Sequence, residues 1–114
     1  ISDKRYLPGT NILNREAFAA EIRTGQEIRK REYGVATLIC LQSAGPVEVL
    51  QKNERELNHY NELLLKNLRE TDRVGVGEDG YLYILLANSD PQEATVVIRR
   101  FSSQGVVCNL KESV

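Results

Sequence analysis

Apolar side chains recur along this chain in two rhythms, and each change of rhythm marks an element. Residues 1–13 contain the turn cluster Pro8-Gly9-Thr10-Asn11 and read as an irregular lead-in. Asn14 offers an N-cap, after which Ala17, Phe18, Glu21 and Ile22 open a helical pattern towards Arg31. Gly25 weakens that helix by about 1 kcal/mol, and Tyr33-Gly34 ends it. Val35 to Leu41 (VATLICL) is β-branched and apolar throughout, which suits a strand covered on both faces. Ser43-Ala44-Gly45-Pro46 breaks the chain. Between Val47 and Arg69 there is neither Gly nor Pro, and Leu50, Leu57, Tyr60, Leu64 and Leu68 draw one apolar stripe along a long helix.

The second half alternates faster. Arg73 to Gly77 and Tyr81 to Leu86 read as strands, and Asp79-Gly80 between them is a strong hairpin signal. Asn88-Ser89-Asp90-Pro91 supplies a cap followed by Pro at the first helical position. Ala94, Val97, Ile98 and Phe101 then give the helix its buried face, Gly105 stops it, and Val106 to Leu110 makes a short last strand. After the first helix the order is β-α-β-β-α-β. Right-handed crossovers fold that order into an α+β domain of the ferredoxin-like, split βαβ plan. It has a four-stranded antiparallel sheet with both later helices on one face. The first and third strands are central, the fourth lies beside the first, and the N-terminal helix is extra. The plan alone implies no function.

Composition narrows the classes. The 114 residues suit one domain with one core, spanning 1–114. The chain opens on Ile1 rather than Met, so it reads as a domain excised from a longer protein. Its 15 Lys and Arg against 16 Asp and Glu lack the basic excess of a nucleic-acid or anionic-membrane binder. No apolar run approaches the roughly 18 residues needed to span a bilayer. Two cysteines and one histidine can build neither a disulfide framework nor a zinc cage. Cys40 and Cys108 fall on strands that the plan makes neighbours, and read as buried thiols of a reducing cytoplasm. The domain is thus expected to be cytoplasmic, or the cytoplasmic part of a membrane-associated protein. His59, helical and next to Tyr60, reads as a surface or half-buried residue rather than a catalyst.

Chemistry concentrates in Arg69-Glu70-Thr71-Asp72, between the long helix and the hairpin. Arg and Asp three apart at a helix end can point to one side of a turn. A guanidinium can donate two parallel hydrogen bonds to O6 and N7 of a guanine, bind a phosphate or stack on the base. A carboxylate can accept from guanine N1–H and its exocyclic amine. The plain alternative is a solvent-exposed ion pair contributing about 0–1 kcal/mol.

The motif's surroundings resemble the GGDEF family of diguanylate cyclases. Five residues (Arg73 to Gly77) separate Asp72 from the hairpin segment Glu78-Asp79-Gly80-Tyr81-Leu82, and Tyr83-Ile84-Leu85-Leu86 follows. Family members carry an Arg-x-x-Asp inhibitory site for cyclic di-GMP at this distance before their Gly-Gly-Asp-Glu-Phe hairpin. Leu7-Pro8-Gly9 and Asn14-Arg15-Glu16-Ala17-Phe18 are similar to the family's N-terminal LTGLxNRRxF segment, with Pro8 for Thr and two inserted residues. The likeness covers roughly residues 7–110, with deletions after the first strand and at the C-terminus.

The departures bear on activity. The two glycines of the family hairpin are replaced by Glu78 and Asp79, and its acidic pair by Gly80 and Tyr81. Cys40 and Gln42 stand where the first strand should present a metal-binding carboxylate. Phosphoryl transfer from GTP needs Mg²⁺ held by carboxylates, so no cyclase activity, Mg²⁺ or GTP is expected. The resemblance implies instead a non-catalytic cyclic di-GMP receptor of the kind that regulates exopolysaccharide production and biofilm. It would bind through Arg69 and Asp72 and signal to a neighbouring domain or to polysaccharide secretion machinery. A homodimer is compatible with this. The ligand's two phosphates call for a second cation: Arg99 or Arg100 on the later helix, with a solvated basic face as the equal alternative, or Arg73. A different class of reading stays open: a pseudo-enzyme kept for protein contacts or dimerisation, without a nucleotide ligand. The turn at Glu78 and Asp79 reads as an exposed hairpin tip that could bind a cation, and Tyr81 and Tyr83 as cover for one sheet face.

Overall fold

A computed structural model describes residues 4–114 and builds the sheet outward from β1 (Ala36–Cys40), every residue of which is buried. β1 pairs antiparallel with β3 (Leu82–Ala87) on one side and β4 (Asn109–Ser113) on the other. β2 (Arg73–Val76) pairs antiparallel with β3, giving the order β2-β3-β1-β4. The chain therefore has the α+β, ferredoxin-like split βαβ architecture that its element order predicts, with the first and third strands central.

Strand periodicity divides the interior into two cores. Ile39, Leu41, Leu82, Ile84 and Leu86 pack with the helices α3 (Glu54–Asn67) and α4 (Pro91–Ser103), through Leu57, Tyr60, Leu64, Ala94 and Phe101. Ala36, Leu38, Cys40, Tyr83 and Leu85 pack on the opposite face with Phe18 and Ile22 of α1 (Arg15–Glu32). Cover on both faces is why β1 and β3 read as continuous apolar runs. Phe18 lies so close to β2 that a Cβ added at Gly75 would sit 2.2 Å from its Cγ. The outer edge of β2 is closed by the lead-in: Leu13 N–H donates to Val74 O at 2.8 Å, and Leu13 O accepts from Val76 N–H at 3.0 Å. That pairing removes one exposed sheet edge.

Local signals set the helix ends. Asn14 accepts from Ala17 N–H at 2.9 Å, and Tyr33 closes α1 in the left-handed region at φ 53°. Asp90 and Glu93 form a reciprocal capping box behind Pro91.

Two boundaries differ from expectation. The single helix expected over Val47–Arg69 is two, α2 (Val47–Leu50) and α3. Asn53 leaves helical geometry, and its side chain accepts from Glu56 N–H at 3.2 Å, restarting the helix. The wide gap between Leu50 and Leu57 spans this break. The last strand begins at Asn109 rather than Val106, because Val106 and Cys108 are buried in the core beside α4 and Val106 N–H returns to Phe101 O at 3.0 Å. The lead-in expected over residues 1–13 starts in residues 1–3, which lie outside the described residues.

Both cysteines are free and buried. Cys40 sits in the α1-side core and Cys108 in the opposite one, so neighbouring chain positions do not bring the thiols to one face. Burial pushes both thiols up, Cys108 to about 12. Among the described residues no helix is long and apolar enough to cross a membrane.

Candidate ligand site

α3 ends at Asn67, and Leu68 turns the backbone to φ −110°, ψ 155°. Arg69-Glu70-Thr71-Asp72 then forms a tight turn into β2. Asp72 N–H donates to Arg69 O at 3.0 Å, and Arg69 N–H donates to Asp72 Oδ2 at 2.9 Å. The side chains meet as the spacing predicts, with Arg69 Nη2 3.2 Å from Asp72 Oδ1. The pair is not solvent-exposed on both sides: the Asp72 side chain is 3% exposed, that of Arg69 57%.

Asp72 is occupied from within. Oδ1 accepts from Arg69 Nη2 and from Ala87 N–H at 3.1 Å, and Oδ2 from the Arg69 backbone N–H and, at 3.4 Å, Arg69 Nε. Four contacts match the roughly four lone-pair sites of a carboxylate. Arg69 Nη2 also donates to Ala87 O at 2.7 Å and Ser89 Oγ at 3.0 Å, while Thr37 Oγ1 donates to Ser89 O at 2.8 Å. One polar knot thus ties the end of α3 to the end of β3 and the approach to α4. Nη1 of Arg69 makes no hydrogen bond among the described residues.

The other predicted cations fall differently. Arg73 Nη1 donates to Glu70 O at 2.6 Å and Asp72 O at 3.0 Å, and its Nε lies 3.8 Å from Glu21 Oε1. Arg100 Nη2 donates to Asn67 O at 2.7 Å, capping the last turn of α3 just before Arg69. Arg99 is exposed on α4 and, among the described residues, has no such tie to the motif. Arg73 and Arg100 are therefore both tied to backbone carbonyls within residues 67–72, Arg73 turned towards α1 and Arg100 reaching across from α4.

Beside this knot lies an open cleft of about 240 Å³ between the lead-in, α3 and β2. Tyr6, Leu65 and Leu68 supply apolar wall, and Asn61, Arg69 and Glu70 supply polar groups. Asn61 Oδ1 accepts from Asn11 N–H at 2.9 Å, which holds the lead-in against α3. The cleft depends on contacts between residues about fifty positions apart, so no local pattern announces it. Ser89 and Ala87 are equally hidden, since only folding brings the end of β3 to Arg69.

At the far end of the hairpin, Gly80 takes φ 84° and Gly77 N–H donates to Tyr81 O at 2.8 Å. Asp79 Oδ1 accepts from Tyr81 N–H at 3.0 Å, and Oδ2 from Tyr83 O–H at 2.6 Å. Burial pushes the Asp79 carboxyl upward, but the Tyr83 and Tyr81 donors outweigh it, so its pKa lies below the ordinary value. Burial and the same Asp79 bond push the Tyr83 hydroxyl up. Tyr81 and Tyr83 do cover the α1-side face. Gln42 accepts from Asn109 Nδ2 at 3.2 Å, and Cys40 is core. Among the described residues no group of three or more His, Cys, Asp or Glu could hold a metal ion. His59 is exposed, its ring edge-on to Tyr60 at 5.9 Å.

No protein-family model matches the chain, and no curated protein sequence matches it.

Proposed function

We propose that this chain is a non-catalytic receptor domain for cyclic di-GMP, a degenerate GGDEF domain of the Pel polysaccharide receptor type. The observation that supports this reading best is Arg69: its guanidinium is held in place from one side by Asp72, Ala87 and Ser89, while Nη1 makes no hydrogen bond among the described residues and the side chain is half-exposed beside a cleft. A pre-set guanidinium loses little freedom when it meets a phosphate or base. Arg73 and Arg100 add positive charge at the same helix end. On this reading the domain works in the cytoplasm, needs neither GTP nor Mg²⁺, and passes the signal to a neighbouring domain or to polysaccharide secretion machinery.

The test is a calorimetric titration with cyclic di-GMP, with GTP as control. Parent protein should bind the cyclic dinucleotide, and Arg69→Ala should weaken binding about a hundredfold; because it leaves the buried Asp72 only backbone donors, its fold is checked by circular dichroism, and Arg69→Lys, which keeps the charge, separates lost binding from lost structure. Asp72→Ala is the poorer test, because loss of a buried anchor also disturbs the fold. A parent that gives no heat would favour a pseudo-enzyme kept for protein contacts. Mg²⁺-dependent product from GTP would overturn the non-catalytic reading.

A further inference from the structure

Burying a polar side chain is costly unless its hydrogen bonds are met, so its place in a core marks a geometry that the fold maintains. Tyrosine and cysteine apart, the buried polar or charged side chains among the described residues are Thr37, Asp72 and Ser89. They do not scatter: all three belong to the one network that surrounds the Arg69 guanidinium. Asp72 comes from the motif itself, whereas Ser89 lies 20 positions from Arg69 and Thr37 lies 52 from Ser89. The sheet brings them together, since β1 and β3 pair Ala36 with Ala87 and Thr37 with Leu86.

We infer that Ser89 is a positioning residue that aims Arg69, and that Thr37 holds Ser89 for this task. The inference rests on the receptor reading above. Arg69 Nη2 donates to three acceptors: Ala87 O at 2.7 Å, Ser89 Oγ at 3.0 Å and Asp72 Oδ1 at 3.2 Å. The single hydroxyl proton of Ser89 goes to Ala87 O at 3.0 Å, so the oxygen turns a lone pair to the guanidinium. Ser89 O in turn accepts from Thr37 Oγ1 at 2.8 Å, and Thr37 is fully buried on a central strand. Asn88, immediately before Ser89, takes φ 51°, a left-handed bend that Asn tolerates better than most side chains. Two of the three holds on Nη2 thus come from outside the motif and are independent of the Asp72 carboxylate. They keep the guanidinium in one place whether or not that carboxylate is shared with a ligand. A guanidinium fixed before binding loses less freedom on binding, and that difference reads directly as affinity.

Calorimetry with cyclic di-GMP tests this on the parent, Ser89→Ala, Arg69→Ala and the double variant. Ser89→Ala should weaken binding about tenfold, because Nη2 loses one of its acceptors and swings more widely. In the Arg69→Ala background the same change should have no effect, since no guanidinium is left to aim. A loss of Ser89 that merely loosened the fold would weaken both backgrounds alike. Thr37 supplies a second pair, with the fold of every variant checked by circular dichroism. Thr37→Val keeps the shape and removes the hydroxyl, while Thr37→Ser keeps the hydroxyl and removes the methyl. Thr37→Val should weaken binding about threefold, and Thr37→Ser should bind like the parent. This pair decides the question alone if Ser89→Ala does not fold. If Ser89→Ala binds like the parent, or loses as much again without Arg69, the positioning role is wrong and the receptor reading stands. Equal affinities for the two Thr37 variants overturn it in the same way. A parent that binds no cyclic di-GMP overturns both.

Discussion

The two ends of the β2–β3 hairpin each carry an aspartate, and the fold uses them differently. Asp72 is buried at the open end, where it gathers donors from the end of α3 and from Ala87 on β3. Asp79 is exposed at the closed end and binds only its own hairpin, Tyr81 N–H and Tyr83 O–H. Asp72 is filled by four donors of the protein, whereas each Asp79 oxygen accepts one bond and keeps room for another, so an acidic residue at a motif position is not thereby free for a ligand. What separates the ends is what stands next to the aspartate. Beside Asp72 lie a half-exposed guanidinium and a cleft of about 240 Å³ against α3; beside Asp79 lie a tight turn, the Tyr83 ring and a wider hollow of about 580 Å³ against α1.

The difference is sharpest in stability. Removing Asp72 leaves the buried-side donors of Arg69 and Ala87 without an acceptor, so Asp72→Ala should cost about 3 kcal/mol. Asp79→Ala should cost about 1 kcal/mol, because its donors can turn to water. Urea denaturation of the two variants measures the contrast, and equal losses would break it.

A smaller effect probes the closed end. A Cβ at Gly77 would lie 2.3 Å from Tyr83 Cε1, and the ring is held by its bond to Asp79. Gly77→Ala should therefore destabilise by about 2 kcal/mol, with the Tyr83 O–H to Asp79 bond weakened. An unchanged urea midpoint would mean that the ring yields freely.

The smallest effect is pH-dependent. Because the folded Asp79 carboxyl lies below its ordinary value, its contribution is present above the unfolded value and fades as pH falls through the folded one. Tyr83→Phe should cost about 1 kcal/mol at neutral pH, raise the Asp79 carboxyl towards its ordinary value, and close its stability gap to the parent in acid. NMR titration of the Asp79 side chain, alongside melts across the acid range, checks both halves.

Much of this molecule was readable residue by residue. The Asn14 cap, the Asp90-Pro91 start, the Asp79-Gly80 turn and the apolar runs of β1 and β3 act over a few positions, and together they determined the β-α-β-β-α-β order and the sheet that follows from it. The Arg69–Asp72 pairing was readable for the same reason, since three residues of turn suffice to make it. The break at Asn53 was not: its amide caps α3 in a stretch without Gly or Pro. Nor was the start of β4, which depends on Val106 and Cys108 finding room beside α4.

The state of the candidate site belongs to this second group. Local spacing could bring a guanidinium and a carboxylate together, but it could not say that Ala87 and Ser89 would also arrive, bury the carboxylate and occupy one side of the guanidinium. Those partners come from the far end of β3, and only antiparallel pairing returns that strand to the Arg69 turn. Hydrogen-bonding capacity is finite, so the tertiary neighbours decided which groups are engaged: the two Asp72 oxygens take four donors, while Arg69 Nη1 has no partner among the described residues.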